Sequence, residues 1–268
     1  MKVIVLAATV LGVWALLALV GHWLPLDPER MDLTHLLAPP ALDGWLGWDD
    51  LGRPVWDRLV MGARTSFLVA VGVVTLSATL GTLFGTVTAY LGGWWDHVAV
   101  RIIDVFLAFP GILLAIALAG LLGPGIDNVV IALGVVGWVG YARLARAQTL
   151  SLKHRDHVQA ARALGVRGLC IVVRHLLPLI LAPLIVEATF GVAAVVTAEA
   201  GLSFLGLGVQ PPTASWGSMI RDGTRYLLVA PHLVLAPGVA LAAVVLAVNL
   251  LGDALRDYLD VRQGNERS

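Results

Sequence analysis

The sequence predicts an all-α integral membrane protein with six transmembrane helices. Two observations carry this. Of 268 residues, 58% are hydrophobic and only 13% are charged, against about 45–50% and about 25% in a soluble domain, so polar groups cannot cover a water-facing surface. The uncharged residues also come in runs of about 20, the length needed to cross a bilayer. The same composition excludes other classes. Lys+Arg and Asp+Glu both number 18, which argues against a basic nucleic-acid-binding domain. A single cysteine, Cys170, allows neither an intrachain disulfide nor a multi-cysteine metal site. The lysines, Lys2 and Lys153, stand outside any Gly-Lys-Ser/Thr phosphate loop, so the chain does not bind ATP by that route.

The elements follow in order. Residues 1–20 hold the first span, an uncharged run from Val3 to Val20; it is too long for a signal-peptide core, and no good cleavage site follows. Residues 21–64 are polar and acid-rich, with Asp27, Glu29, Asp32, Asp43, Asp49, Asp50 and Asp57, and read as an extracytoplasmic segment. Residues 65–268 then hold five further spans. Thr65–Trp95 is uncharged and ends at Gly92-Gly93. Val105–Ile126 is uncharged, with Gly123-Pro124-Gly125 near its end. Asn128–Ala142 extends to about Gln148 if Arg143 and Arg146 snorkel. Leu176–Ala198 is apolar except for Glu187, and Tyr226–Gly252 is uncharged.

Lys/Arg excess marks cytoplasmic segments. With the N-terminus inside, the inner segments hold Lys2, Arg101, Arg143, Arg146, Lys153, Arg155, Arg162, Arg167, Arg174, Arg256, Arg262 and Arg267, which is 12 of the 18. Six spans then place both termini in the cytoplasm. The longest inner loop is 149–177. Within it Asp156 reads as an N-cap, Ala160, Ala161 and Ala163 as helix formers, and Gly165 as a stop. A second amphipathic stretch leads to Pro178, a residue tolerated in a helix's first turn. From these residues alone the short helix is either an ordinary surface helix or a docking knob whose small side chains let a partner's groove approach closely.

Gln159-Ala-Ala, three residues, Gly165, nine residues and His-Leu-Leu-Pro178 resemble the cytoplasmic-loop signature of ABC importer permeases, with Gln159 where the family usually has Glu and His175 where the general pattern has Ile. The segment 44–66, the stretch 198–217 and the C-terminal Leu251–Asp260 are similar to the dipeptide, oligopeptide and nickel branch, with Trp48 and Pro54 departing from it. The chain is identified as resembling the second, C-type permease of that branch. The resemblance implies a type I importer fold in a bacterial inner membrane and a coupling helix in the inner loop. The implied partners are a second homologous permease in a heterodimer, two ABC ATPases that bind ATP and Mg, an extracytoplasmic substrate-binding protein and membrane lipid, with no nucleic acid and no cofactor in this chain. It implies transport by alternating access rather than enzymatic activity, with peptides as substrate and nickel or a nickel chelate as the alternative.

The expected ATPase contacts are Gln159, Ala160, Ala161 and Gly165. The loss of the usual Glu charge at Gln159 weakens any salt contact with an ATPase arginine. Glu187 and Glu199 are acids within a span, which are costly there and serve either the pathway or the bundle. His154 and His157 stand i, i+3 without an obvious third ligand. A purely structural or receptor-type subunit would not require the loop helix, and an intramembrane enzyme lacks a catalytic constellation.

Overall fold

Five long apolar helices and one bent helix pair form the chain. A computed structural model describes residues 2–42 and 44–265. The expected outer acid Asp43 and inner cation Arg267 lie outside the described residues, as do the side chains from Asp260 on, Arg262 included. The helices long and apolar enough to cross a membrane fall in Lys2–Trp23, Val55–Leu91, Ile126–Leu152, Gly168–Phe204 and His232–Leu259, and the pair Gly93–Leu107 with Gly111–Leu122 makes a sixth span if counted as one.

The first helix, α1 (Lys2–Val20), is apolar all round and buries little beyond Ala7, Trp14 and Ala18. The second, α2 (Val55–Leu91), runs 37 residues, about 55 Å at about 1.5 Å per residue. It starts ten residues before the expected Thr65, within the segment 21–64. The uncharged run begins at Thr65 because Arg58 and Arg64 precede it. In the structure Arg58 is buried and faces the Asp49 carboxylate, its Nε at 3.4 Å, so charge in the sequence does not break the helix.

The expected uncharged span at 105–126 is in fact broken. Helix α3 (Gly93–Leu107) is amphipathic and begins well upstream of the apolar run, and α4 (Gly111–Leu122) leaves it at 82°. Pro110 sits at the break and cannot continue the helical hydrogen bonding. Twelve residues of α4 reach only about 18 Å, short of a bilayer core of about 30 Å.

Helix α5 (Ile126–Leu152) approaches α2 most closely around Gly81 and Gly85. A Cβ on Gly81 or Gly85 would strike the backbone of Trp138 or Ala142. Such close approach by small residues is how helices associate in lipid, where apolar side chains gain nothing from leaving the solvent. Ser77 packs where a Cβ on Gly137 would be, continuing the seam.

After the inner loop the chain is helical from Gly168. A first turn, α7 (Gly168–Ile171), passes through a π turn, Val172–Leu176, into α8 (Leu177–Phe204). Pro178 explains the π turn: it has no N–H for the Arg174 carbonyl four residues earlier, and the Leu177 N–H instead returns five residues to Val172. Pro178 therefore lies inside a continuous helix rather than opening one. The chain closes with α9 (Trp216–Thr224), held by a Ser215/Ser218 capping box, and α10 (His232–Asn265).

One core cluster joins Trp14, Ala63, Ala70, Val196, Trp216 and Val244 toward the N-terminal half of α2. The indoles of Trp14 and Trp216 donate to the Ala63 and Leu59 carbonyls of α2, at 3.1 and 3.0 Å. A second cluster, with Leu152, Val158, Ile171, Leu176 and Ile180, lies beneath the inner loop.

Candidate functional site: the inner loop and the face of α8

Helix α6 (Asp156–Ala163) is the two-turn helix expected in the loop. Its N-cap is Arg155, not Asp156, and no side chain caps it. Asp156 is the first helical residue instead, where its charge still faces the positive end of the backbone dipole. The C-terminus is a Schellman motif: the Gly165 N–H returns to the Arg162 carbonyl at 3.0 Å and the Val166 N–H to Ala161 at 3.1 Å. Gly165 has φ +79°, the left-handed conformation this motif requires.

The helix has two faces. Val158 is 0% exposed and Ala161 is 6% exposed, both turned onto the chain's own core. Of the four residues expected to meet an ATPase, Gln159, Ala160 and Gly165 face outward and Ala161 does not. Ala163 and Leu164 join the outward set, and Leu164 is 84% exposed. The Val158/Ala161 spacing of i, i+3 was the available signal for the inner face. Gln159 does more than remove a charge. Its Nε2 donates to the Lys153 carbonyl at 3.3 Å, which a carboxylate could not do.

The loop is tied to α2 by residues that the sequence did not single out. Lys153 Nζ donates to the Ala89 carbonyl at 2.9 Å, capping the negative end of α2. The Arg162 guanidinium lies 5.3 Å above the Tyr90 ring. A Cβ on Gly168 would stand 3.1 Å from that ring. Nearby, Arg146 of α5 grips Asp96 of α3 with two hydrogen bonds, 2.7 and 2.9 Å, the bidentate arrangement that gives Arg–carboxylate pairs their strength. Only contact, not local pattern, identifies these four pairings.

The Val55 end of α2 is held differently. The Asp49 carboxylate accepts from the Leu51 and Arg53 N–H groups at 2.9 Å and from Arg53 Nε at 2.7 Å, and faces Arg58. Trp48 is buried and stacks on His35, with ring centroids 4.6 Å apart, so this tryptophan serves the segment's own packing; Trp45 is 77% exposed. The Asp32 carboxyl is pulled down to about 2 by the Thr34 hydroxyl, the Thr34 N–H and His35.

The two intramembrane acids part company. Glu199 is 1% exposed and accepts from the Ser66 hydroxyl of α2 at 3.0 Å and from Ser203 at 2.8 Å. It joins α2 to α8 and lines none of the cavities described below. Glu187 is exposed and lies over Gly140 of α5.

Glu187 belongs to one continuous face of α8. Leu179, Ala182, Pro183, Val186, Glu187 and Phe190 line a cavity of about 420 Å³ with Gln148 and Arg256. Phe190, Ala193, Ala194, Thr197, Ala198 and Gly201 line a second cavity of about 770 Å³, almost wholly apolar. The spacing is 3 and 4 throughout, so a single stripe runs for 22 helical steps, about 33 Å. Phe190 stands between the two cavities, and a Cβ on Gly252 would stand 3.0 Å from its ring.

This architecture has known relatives. The family described as "Binding-protein-dependent transport system inner membrane component" matches residues 81–265. The glutathione transport system permease protein GsiD of Escherichia coli (strain UTI89 / UPEC) is 42% identical over 245 residues, 91% of this chain and 81% of that protein. The protein of that name from Shigella dysenteriae serotype 1 (strain Sd197) is 41% identical over the same span. Among solved structures, an inward-facing MetNI methionine ABC transporter chain superposes with TM-score 0.61 at 20% identity, covering 76% of this chain and 97% of that one. At that identity the superposition speaks to the fold: the helices form a type I importer permease. The chain therefore belongs to the binding-protein-dependent transport system inner membrane components, as the permease subunit of an ABC importer.

Proposed function

We propose that the chain forms one half of a pathway importing short peptides and that α6 is its contact with an ATPase. One observation carries the proposal: α6 is an outward-facing knob, exposing Gln159, Ala160, Ala163, Leu164 and Gly165 on a base packed into the core. A second homologous permease completes the pathway. Two ATPases bind ATP and Mg, and an extracytoplasmic binding protein docks on the outer segment and the 201–225 loop. Both termini lie in the cytoplasm of a bacterial cell. The relatives' name, a glutathione permease, supports a peptide over nickel. Ligands bias the inward-open and outward-open states only by binding them unequally, so loaded binding protein and ATP must each prefer one state.

The test is the ATPase rate of the chain purified in lipid with its partner permease and ATPases. Binding protein loaded with glutathione or a dipeptide mixture is expected to stimulate the rate, and nickel-loaded protein is not. Stimulation by nickel alone overturns the substrate assignment. If no ATPase co-purifies, the knob is only a membrane-surface helix.

A further inference from the structure

Helix α6 follows α5 after three residues and precedes α7 by four, so the chain itself ties it to both. Helix α2 has no such tie, yet its last turn carries two contacts to the loop. The Ala89 carbonyl is among the last four of α2, a position where helices leave carbonyls without a helical donor. Lys153 Nζ supplies a donor there at 2.9 Å. Lys153 is in turn held from α6, because its own carbonyl accepts from Gln159 Nε2. Tyr90, the next residue of α2, stands in the corner between α6 and α7. Arg162 of α6 lies over its ring. Residue 168, at the start of α7, is a glycine whose Cβ would stand 3.1 Å from the ring edge. The ring also packs on the core cluster that holds Val158 of α6 and Ile171 of α7.

We propose that Tyr90 and Lys153 are positioning residues of the transport cycle: they make the last turn of α2 travel with α6, a helix to which no short loop joins it. The inference rests on the proposed function, in which α6 meets an ATPase, and adds the route by which that contact reaches α2. The two links differ in kind. Lys153 offers a charged donor to the negative end of a helix dipole. Tyr90 offers a ring face to a guanidinium and an apolar body to the core. Loss of either leaves α2 seated on α5 at Gly81 and Gly85. The bundle therefore keeps its fold while the tie to α6 loosens.

The experiment uses the full complex of this chain with its partner permease and ATPases in proteoliposomes. The binding protein is loaded with whichever of glutathione, a dipeptide mixture or nickel stimulates wild type. Uptake and ATP hydrolysis are measured together, and their ratio is the readout. Tyr90→Leu is expected to keep the ATPases bound and hydrolysis within about twofold of wild type, while uptake per ATP falls about fivefold, the scale on which substitutions along a coupling network act. Tyr90→Phe keeps the ring face and should recover most of the ratio. Lys153→Met should lower the ratio too, and Lys153→Arg, which keeps a charged donor, should retain it. The Lys153 variants lie outside the core cluster, so they decide the matter if Tyr90→Leu does not assemble. Arg162→Gln should add nothing to Tyr90→Leu, because the two side chains share one contact. A merely structural role would lower assembly and hydrolysis together and leave the ratio unchanged. A wild-type ratio in Tyr90→Leu or in Lys153→Met, or losses that multiply when Arg162→Gln joins Tyr90→Leu, overturns the route and leaves the proposed function standing. Wild type that carries no ATPase, or that none of the loaded forms stimulates, overturns the proposed function and this inference with it.

Discussion

Two stripes of small residues run through this bundle. On α2, Gly81 and Gly85 receive the backbone of α5 so closely that a Cβ at either would collide with main-chain atoms. On α8, Ala194, Ala198 and Gly201 line an open cavity, and a Cβ on Gly201 would meet nothing within 4 Å. Residue size is the same and the consequence is opposite. Where the facing helix belongs to this chain, smallness admits it. Where no helix of this chain is packed against the stripe, smallness leaves space. Composition alone cannot separate the two cases; only the facing backbone does.

Substitutions can break that comparison. Gly85→Leu should do the most damage, more than about 3 kcal/mol, because the new side chain meets α5 backbone that cannot yield. It should be read as loss of monodisperse protein on size-exclusion after mild heating. Glu199→Ala comes next, at about 2 kcal/mol, since it orphans the buried Ser66 and Ser203 hydroxyls on the filled side of α8. A melting temperature unchanged from wild type would show that these hydroxyls find other partners. Gly165→Ala should cost about 1 kcal/mol for a different reason. Nothing crowds its Cβ, but its backbone is left-handed. Limited proteolysis of the 149–177 loop should accelerate. Gly201→Leu should change stability by less than about 0.5 kcal/mol, yet sharply reduce co-purification of the second permease or peptide uptake. A large fall in melting temperature instead would show that the open stripe is already filled.

The sequence made the apolar spans legible because burial in lipid needs uninterrupted apolar length. It gave α6 nearly residue by residue, because a left-handed glycine and a run of alanines are local signals. It hid the break at Pro110, although the proline was in view, because an uncharged run reads as continuous while α3 begins among charged residues upstream. It hid the true start of α2 because Arg58 looks solvated until Asp49, nine residues earlier in the chain, is folded back onto it. The contact set around Tyr90 and Lys153 was invisible for the same reason: these residues are separated in sequence by an entire helix–helix unit. Glu187 and Glu199 were identical as letters, and the Ser66 and Ser203 hydroxyls decide which of them is spoken for.

The glycine seam also divides α2 unequally. From its midpoint near residue 83, the inner end at Leu91 is about 12 Å away and the outer end at Val55 about 42 Å. The inner end carries Lys153 and Tyr90 contacts to the loop, and the outer end carries Arg58 facing Asp49. A straight helix tilting about that fulcrum has lever arms in a ratio of between three and four. An ångström of travel at the Leu91 end would become several at the Val55 end.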